Sequence, residues 1–272
     1  MQLIDSHVHF WDLSKNMNKW VFNARDELKN NFSPMTLPNA KFVHIEAHDS
    51  DIDTEHESTW LDESFPNHDM RYISCIDFFL GLKDFNSIVL RLKSNKKVVG
   101  FRHILAYHPT AEYSPMKNDS LPADFQDKLT ILYKNNMVFE CQMYPSQILH
   151  CIDSITESKV TTVIEHMGLP LCNSEQDFLV WKQMIEKIGQ CENITLKLSG
   201  FFMLNNNLDQ LEVAMDWIQQ HIPTVRLCYG SNHPVCNTND YMKWHNTLSK
   251  YIPNEHYHQV FAETANKVYW RL

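Results

Sequence analysis

The feature that most constrains the fold is a regular alternation of short apolar stretches with segments long enough to form a helix. Eight strands separated by helical segments are the pattern of a (β/α)8 barrel, whereas a doubly wound sheet usually uses fewer strands over a comparable length. We therefore predict an α/β protein, a single-domain (β/α)8 TIM barrel over residues 1–272. The predicted strands are Leu3–Val8, Phe42–Ala47, Tyr72–Phe78, Val98–Ile104, Val138–Met143, Thr161–Ile164, Ile194–Leu198 and Val225–Tyr229.

The segments between these strands carry the apolar stripe of helices packed outside a barrel. Leu208, Leu211 and Met215 follow spacings of three and four, which place them on one helix face. Two longer segments lack this periodicity, Leu13–Pro38 after the first strand and Tyr107–Leu121 after the fourth. Loops after barrel strands build the active-site face, so we predict that these two segments act as lids.

The carboxyl ends of the predicted strands are rich in polar groups, and in this fold those ends carry the chemistry. His7 and His9 follow the i, i+2 spacing of a strand, which directs both imidazoles to the same face. Two parallel imidazoles can hold a divalent metal or polarise a carbonyl. His166 adds a third imidazole at the end of the sixth strand. Further polar groups at strand ends are Glu46, His48, Asp77, Arg102, His103, Gln142, Tyr144, Glu165, Lys197, Ser199 and Asn232.

Arg102 is the strongest single candidate for ligand binding, because a guanidinium directed into a barrel mouth needs an anionic or carbonyl partner. His48, His103 and Glu165 are more simply interpreted as turn or surface residues than as catalytic residues. Lys197 is explained equally well by a carboxylate partner inside the barrel.

Composition restricts the class of partner. The formal net charge of −9 disfavours nucleic acid and anionic membranes as partners. The sequence contains no run of 18 apolar residues, so we expect no membrane span. The sequence starts in a strand without a signal-peptide pattern, and its seven cysteines are scattered, as is typical of reduced thiols. We expect a cytoplasmic protein that acts on a small molecule.

Five motifs, in order along the chain, resemble the amidohydrolase superfamily in its branch of sugar-lactone and 2-pyrone-4,6-dicarboxylate lactonases. The resemblance runs from residue 4 to about 235 and includes the ending from Thr264 to Tyr269. The motifs are Ile4-Asp5-Ser6-His7-Val8-His9-Phe10-Trp11-Asp12, Val99-Gly100-Phe101-Arg102-His103, Val163-Ile164-Glu165-His166-Met167-Gly168-Leu169-Pro170, Lys197-Leu198-Ser199-Gly200 and Tyr229-Gly230-Ser231-Asn232-His233-Pro234.

The resemblance implies a (β/α)8 hydrolase in which three histidines bind a metal or polarise a lactone carbonyl. Those histidines are His7, His9 and His166. Several lactonases of this branch work without a tightly bound metal. The resemblance therefore agrees with one divalent metal, most simply zinc, and also with a metal-independent site. The residues expected to contact the substrate are Arg102, Tyr144, Gln142, Trp11 and Ser199. A bridged two-metal site is not expected, because strands four and five lack the further ligands and the anionic bridge that it needs.

The sequence departs from the family pattern at Asn232, where the family carries aspartate. Asparagine forms hydrogen bonds but cannot take a proton from water near neutral pH. Three interpretations follow: the chain is a variant that traps bound substrate, another base such as His233 or His103 replaces the aspartate, or the protein is catalytically silent. The sequence leaves all three open.

We therefore predict a hydrolase that opens a small lactone of a sugar acid or dicarboxylate by attack of water on a carbonyl polarised by the clustered histidines. The alternatives are a zinc-dependent decarboxylase of an unsaturated or aromatic acid and a silent small-molecule binder. The sequence does not determine the oligomeric state.

Overall fold

Eight parallel strands, paired in the order of the chain, form the centre of the molecule. The computed structural model describes residues 2–38, 40–236 and 239–271. The strands are β1 Leu3–Val8, β2 Ala40–Ile45, β3 Met70–Cys75, β4 Val98–Ile104, β5 Val138–Gln142, β6 Thr162–Ile164, β7 Ile194–Leu198 and β8 Leu227–Tyr229. This confirms the predicted (β/α)8 barrel.

The barrel closes between its last and first strands through the residues that carry the site. The Asn232 backbone N–H donates to the His7 carbonyl at 2.8 Å, and the His9 N–H donates to the His233 carbonyl at 2.8 Å. A parallel bridge joins Val8 to His233. Closure thus aligns the end of β1 with the segment after β8, which places the predicted motifs of both strands side by side.

Helices follow most strands and cover the outside of the barrel. They are α1 Thr54–Ser64, α2 Leu82–Leu92, α3 Phe125–Lys134, α4 Pro145–Ser158, α5 Glu175–Gly189, α6 Leu208–His221, α7 Met242–Leu248 and α8 Asn254–His258. On α6 the predicted stripe is buried at Leu211 and Met215. Leu208 is wrong as a core residue, since it opens the helix and is 56% exposed. No helix among the described residues combines the length and the apolar content that a bilayer crossing requires.

Strand boundaries differ from the prediction by one to three residues at β2, β3, β5, β6 and β8. The structure ends β2 at Ile45 and not at Ala47, because the Ala47 N–H donates to the Glu57 carboxylate on α1. At β8 the strand starts at Leu227, since residues 224–226 form a 3-10 turn.

The end of the chain closes the amino-terminal side of the barrel. Residues 259–263 and 266–270 form π-helical turns that follow α8. Ala265, Val268 and Tyr269 pack there in one buried cluster with Ile4 and Val138 from the starts of β1 and β5. The carboxyl-terminal side is left to the loops that follow the strands.

The long loop after β1 packs over this open side. It contains four short 3-10 turns and a small apolar core of its own, in which Trp11, Val21 and Leu28 are buried. Its Trp20 indole N–H donates to the Ala47 carbonyl at 2.6 Å, which fixes the loop to the end of β2.

Candidate active site

The two histidines at the end of β1 lie side by side, as their spacing predicts. His7 and His9 are buried, and their Nε2 atoms are 3.1 Å apart. His9 Nδ1 lies 2.8 Å from the Ile45 carbonyl at the end of β2, so this nitrogen carries the proton and donates it. The lone pair of His9 is therefore on Nε2 and is directed at His7.

His166 joins them from the short turn that follows β6. Its ring centroid is 4.6 Å from that of His7, and its Nδ1 lies 3.0 Å from the Ser199 hydroxyl. The turn needs a left-handed backbone at His166, where φ is 53°. Burial, joined by the nearby charges of Arg102 and Lys197, lowers the pKa of His166 to about 4, against an opposing effect of Glu165. The imidazole is neutral at physiological pH and able to act as a ligand.

Two glycines make room for these histidines. A side chain at Gly200 would place its Cβ 2.4 Å from His166 Nδ1, and Gly200 has a φ of 64°. A Cβ at Gly230 would lie 2.7 Å from the His7 Cβ. Since such distances are closer than van der Waals contact, glycine at these positions is a condition for the observed ring placement.

Arg102 lies between two carboxylates. Its Nε donates to Glu46 at 2.7 Å, and one terminal nitrogen donates to Glu165 at 3.1 Å and to Gln142 at 3.2 Å. Burial alone would raise the pKa of Glu165, but the charges of Arg102, His166 and Lys197 lower it to about 2. Two anions around one guanidinium leave one negative charge in surplus at this end of the barrel.

Glu165 corrects the sequence interpretation, which placed it on a turn or the surface. The side chain is fully buried beneath His7 and Arg102. The available signal was Arg102 itself, because a guanidinium predicted inside a barrel requires a buried carboxylate partner. Lys197, in contrast, has the carboxylate partner considered for it: its Nζ donates to Glu140 at 2.7 Å, and both side chains are fully buried.

The protons available to His7 cannot satisfy all of its neighbours. His7 Nδ1 lies 3.4 Å from Glu165 Oε1, and neither atom has a hydrogen-bond partner among the described residues. A proton on Nδ1 satisfies Glu165 but leaves two lone pairs facing each other between His7 and His9. A proton on Nε2 satisfies His9 but leaves a lone pair against the carboxylate. Burial and the nearby charges of His166 and Lys197 lower the pKa of His7 well below its usual value, so an imidazolium is disfavoured.

One cation at this point resolves the conflict, and the donor set fits a divalent metal. Tetrahedral zinc with bonds of about 2.0–2.1 Å separates two nitrogen ligands by about 3.3 Å, close to the 3.1 Å between His7 and His9. Ligand atoms of His7, Glu165 and His166 also lie within 4.8 Å of one another. The contact between His9 and the Ile45 carbonyl is the outer hydrogen bond that orients metal-binding histidines.

A cavity of about 360 Å³ opens above the histidines. This volume lies in the range of small-molecule sites. Five predicted site residues line it: His9, His166, Arg102, Gln142 and Asn232. Sequence reasoning missed four apolar residues of the wall, because none belongs to a quoted motif. They are Trp20 and Met203 from loop turns, Ile104 at the end of β4, and Val235 after the last motif. His48, interpreted as a turn or surface residue, also lines the cavity.

Three predicted substrate contacts lie elsewhere in the structure. Trp11 is fully buried in the core of the long loop and donates its indole N–H to the Asn30 carbonyl. Tyr144 donates to the Tyr113 carbonyl and lines a neighbouring small cavity. Ser199 contacts His166 and so acts on the ring rather than on the cavity.

Asn232 lines the cavity from the segment that follows β8. Its backbone is left-handed, with φ of 52°, and its side-chain nitrogen contacts Met203 Sδ at 2.8 Å and Cys236 Sγ at 3.5 Å. The two proposed replacement bases, His103 and His233, are absent from the described cavity lining. His103 accepts the Phe78 N–H outside the cavity. Apart from the histidine cluster, the described residues of the cavity lining that can accept a proton are Glu46 and His48.

A family model described as "Amidohydrolase" matches residues 4–271 of this chain. No curated protein matches the sequence.

The fold is similar to several solved structures over almost its whole length. An amidohydrolase from Burkholderia multivorans with bound zinc has a TM-score of 0.76 at 18% identity, and the similarity covers 99% of both chains. A probable 2-pyrone-4,6-dicarboxylic acid hydrolase from Acinetobacter baumannii with citric acid bound has a TM-score of 0.72 at 16% identity, over 99% of this chain and 100% of that one. A 2,6-dihydroxybenzoate decarboxylase complexed with 2,6-dihydroxybenzoate has a TM-score of 0.60 at 12% identity, over 99% of this chain and all of that one. At these identities the similarity concerns the fold.

Proposed function

This chain belongs to the amidohydrolase family, and on that basis we propose that it is a hydrolase that opens a small lactone of a sugar acid or dicarboxylate. The observation that carries the proposal is the buried cluster of His7, His9 and Glu165, which needs one further cation, at the base of a cavity of small-molecule size. A cation at that point is suited to stabilise negative charge on a carbonyl oxygen.

The residues of this chain divide the work as follows. His7 and His9, with His166, would hold the metal, which when bound supplies Lewis acidity toward the carbonyl, while Glu165 would accept the Nδ1 proton of His7. Arg102 and Gln142 would orient polar groups of the substrate from the cavity wall. Glu46 and Glu165 already balance the charge of Arg102. We therefore expect Arg102 to bind a carbonyl or hydroxyl group of the substrate in preference to a free dianion. Trp20 and Met203 would exclude bulk water.

Water would attack from the side of residue 232. The Asn232 amide can orient that water by hydrogen bonds, but it cannot accept its proton near neutral pH. Glu46 is the group we assign to this step, because it lines the cavity and burial raises its pKa despite the opposing charge of Arg102. A carboxylate of raised pKa is a better base than an ordinary one.

The test is hydrolysis of a panel of sugar-acid and dicarboxylate lactones by the natural chain, Asn232→Asp and Glu46→Gln. We expect slow turnover by the natural chain, loss of it in Glu46→Gln, and a gain of roughly 10²- to 10⁴-fold in Asn232→Asp. Asn205→Asp makes the same chemical change at an exposed position and serves as the control. Equal rates for the natural chain and Asn232→Asp would overturn the role of residue 232. Ligand-dependent thermal stabilisation without turnover by any variant would identify a silent binder.

A zinc-dependent decarboxylase of an unsaturated or aromatic acid is the second candidate, and Asn232 is the observation that favours it. Loss of carbon dioxide does not require a base that activates water, so asparagine at this position costs such a reaction less than it costs hydrolysis. Release of carbon dioxide from hydroxybenzoates, abolished by chelation and restored by zinc, would replace the lactonase proposal.

We also place the protein in the cytoplasm. All seven cysteines are free thiols, which suits a reducing compartment.

A further inference from the structure

A second group of ligand-type side chains lies beside Arg102, whose Nε donates to Glu46. Ligand atoms of Glu46, His48 and Cys75 lie within 4.8 Å of one another. They come from the ends of β2 and β3, whereas the histidine cluster comes from β1 and β6. The three side chains combine a carboxylate, an imidazole and a thiol, which is a donor set that zinc and cobalt accept.

His48 is oriented as a ligand. Its Nδ1 lies 2.8 Å from the Asp49 carbonyl and donates to it, so the lone pair is on Nε2. His48 Nε2 is buried and has no hydrogen-bond partner among the described residues. A buried lone pair without a donor is unfavourable, and a cation would relieve it.

The local charge favours a cation. The carboxylates of Glu46, Glu57 and Asp77 lie near enough to act on the Cys75 thiol, and the Arg102 guanidinium opposes them. A divalent ion at this point would balance the surplus of negative charge when the thiol loses its proton to solvent.

The distances require only a small adjustment. Oxygen, nitrogen and sulfur ligands at bond lengths of about 2.0–2.3 Å around a tetrahedral ion lie about 3.3–3.6 Å apart. Atoms within 4.8 Å of one another need shifts of about 1 Å to reach this spacing, and the His48 and Cys75 side chains are only half-buried. Glu46 keeps one oxygen on Arg102 while the other is available.

We propose that Glu46, His48 and Cys75 form a second cation site, selective for zinc-like ions that accept thiolate, on the rim of the cavity. The site goes beyond the proposed hydrolysis, since it requires no substrate and shares no ligand with the histidine cluster. It takes as a ligand Glu46, the group assigned above as base, so an ion bound here and proton transfer by Glu46 exclude each other. It takes a single ion through one thiolate, one imidazole and one carboxylate.

The test is titration of the metal-free protein with Co²⁺, followed by near-ultraviolet absorption. Thiolate-to-cobalt charge transfer gives a band that histidine and carboxylate ligands do not give, so the band reports Cys75 and not the histidine cluster. We expect the band in the natural chain and in His7→Asn. Cys75→Ser should abolish it, and His48→Gln should weaken cobalt binding by more than about tenfold, the lower limit for loss of an outer-sphere partner.

Cys236→Ser is the matched control, since Cys236 is another half-buried thiol on the cavity side of the barrel and contacts Asn232. It should retain the band. Circular dichroism verifies the fold of each variant, and His48→Gln still tests the site if Cys75→Ser does not fold. Absence of the band in the natural chain, its survival in Cys75→Ser or its loss in Cys236→Ser would each overturn the proposal.

Discussion

At the scale of single residues, the site depends on where three imidazoles are held and on what is left unpaired around them. His7 is placed between His9 and Glu165 so that no neutral tautomer satisfies both neighbours. His166 is held by Ser199 on one side and by the absence of a side chain at Gly200 on the other. The placement of the imidazole rings therefore depends on small residues as much as on the histidines.

Gly200→Ala tests this dependence. The added Cβ would lie 2.4 Å from His166 Nδ1, and the left-handed backbone costs an alanine about 1–2 kcal/mol. We expect lower stability in urea unfolding by at least that amount, and weaker zinc binding by calorimetry because the ring must move. Gly81→Ala is the control, since a Cβ there has no atom within 4 Å and its φ is ordinary. Unchanged zinc affinity in Gly200→Ala would contradict the role of His166 as a ligand.

At the scale of secondary-structure elements, capping and charge join neighbouring helices around the barrel. Asp53 precedes α1, and its carboxylate accepts the Glu55 N–H at 3.0 Å. Arg91 on α2 donates to both oxygens of the same carboxylate, at 2.9 and 3.1 Å. The Asp53 side chain thus caps the amino-terminal end of α1 and connects α1 to α2.

Asp53→Ala should remove both interactions. The loss of an N-cap costs about 1 kcal/mol and that of a half-exposed ion pair less than about 1 kcal/mol, so we expect a decrease of about 1–2 kcal/mol in the free energy of unfolding. Asp51→Ala, which loses only the exposed pair with Lys19, is the control and should change stability little. Equal effects of the two substitutions would exclude a capping role.

The same carboxylate predicts a pH dependence. The hydrogen bond from Arg91, helped by the Glu55 N–H and opposed by partial burial, lowers the pKa of Asp53 in the folded state. Its stabilisation is therefore present above the ordinary pKa of aspartate, near 4, and is lost as pH falls through the folded value. The stability difference between the natural chain and Asp53→Ala should shrink in acid and stay constant from about pH 5 to 7.

At the scale of the whole molecule, a buried charge network connects the closed end of the barrel to the site. Tyr269, from the closing segment, donates to Glu140, and Lys197 donates to the other oxygen of that carboxylate. Lys197 in turn contributes to the low pKa of Glu165 beneath His7. The closing segment and the catalytic end thus share one electrostatic arrangement inside the barrel.

Lys197→Met should be strongly destabilising, because it leaves the Glu140 charge buried without its cation. Breaking such a pair typically costs about 3–5 kcal/mol. The double variant Lys197→Met/Glu140→Gln removes the stranded charge, and we expect it to recover most of the loss in urea unfolding. Lys29→Met, which loses an exposed pair with Asp26, should cost under about 1 kcal/mol. Additive effects in the double variant would show that the two side chains do not act as a pair.

The sequence by itself determined the barrel and the end of it that carries the cavity. Strand positions follow from apolar stretches such as Ile194–Leu198, which were predicted at their exact bounds because periodicity is a local property. The alternation of strands and helices then requires that the ends of β1, β6 and β8 meet, which brought His9, His166 and Asn232 to one cavity.

Only the tertiary structure decided which polar groups face that cavity and which are balanced by others. Arg102 is bound by Glu46 from 56 residues earlier and by Glu165 from 63 residues later, so the compensation of its charge depends on distant strands. Trp11 and Tyr144 carry suitable chemistry but are directed into loop packing. Burial and partnership are properties of contacts between remote segments, and a residue type in a motif does not specify them.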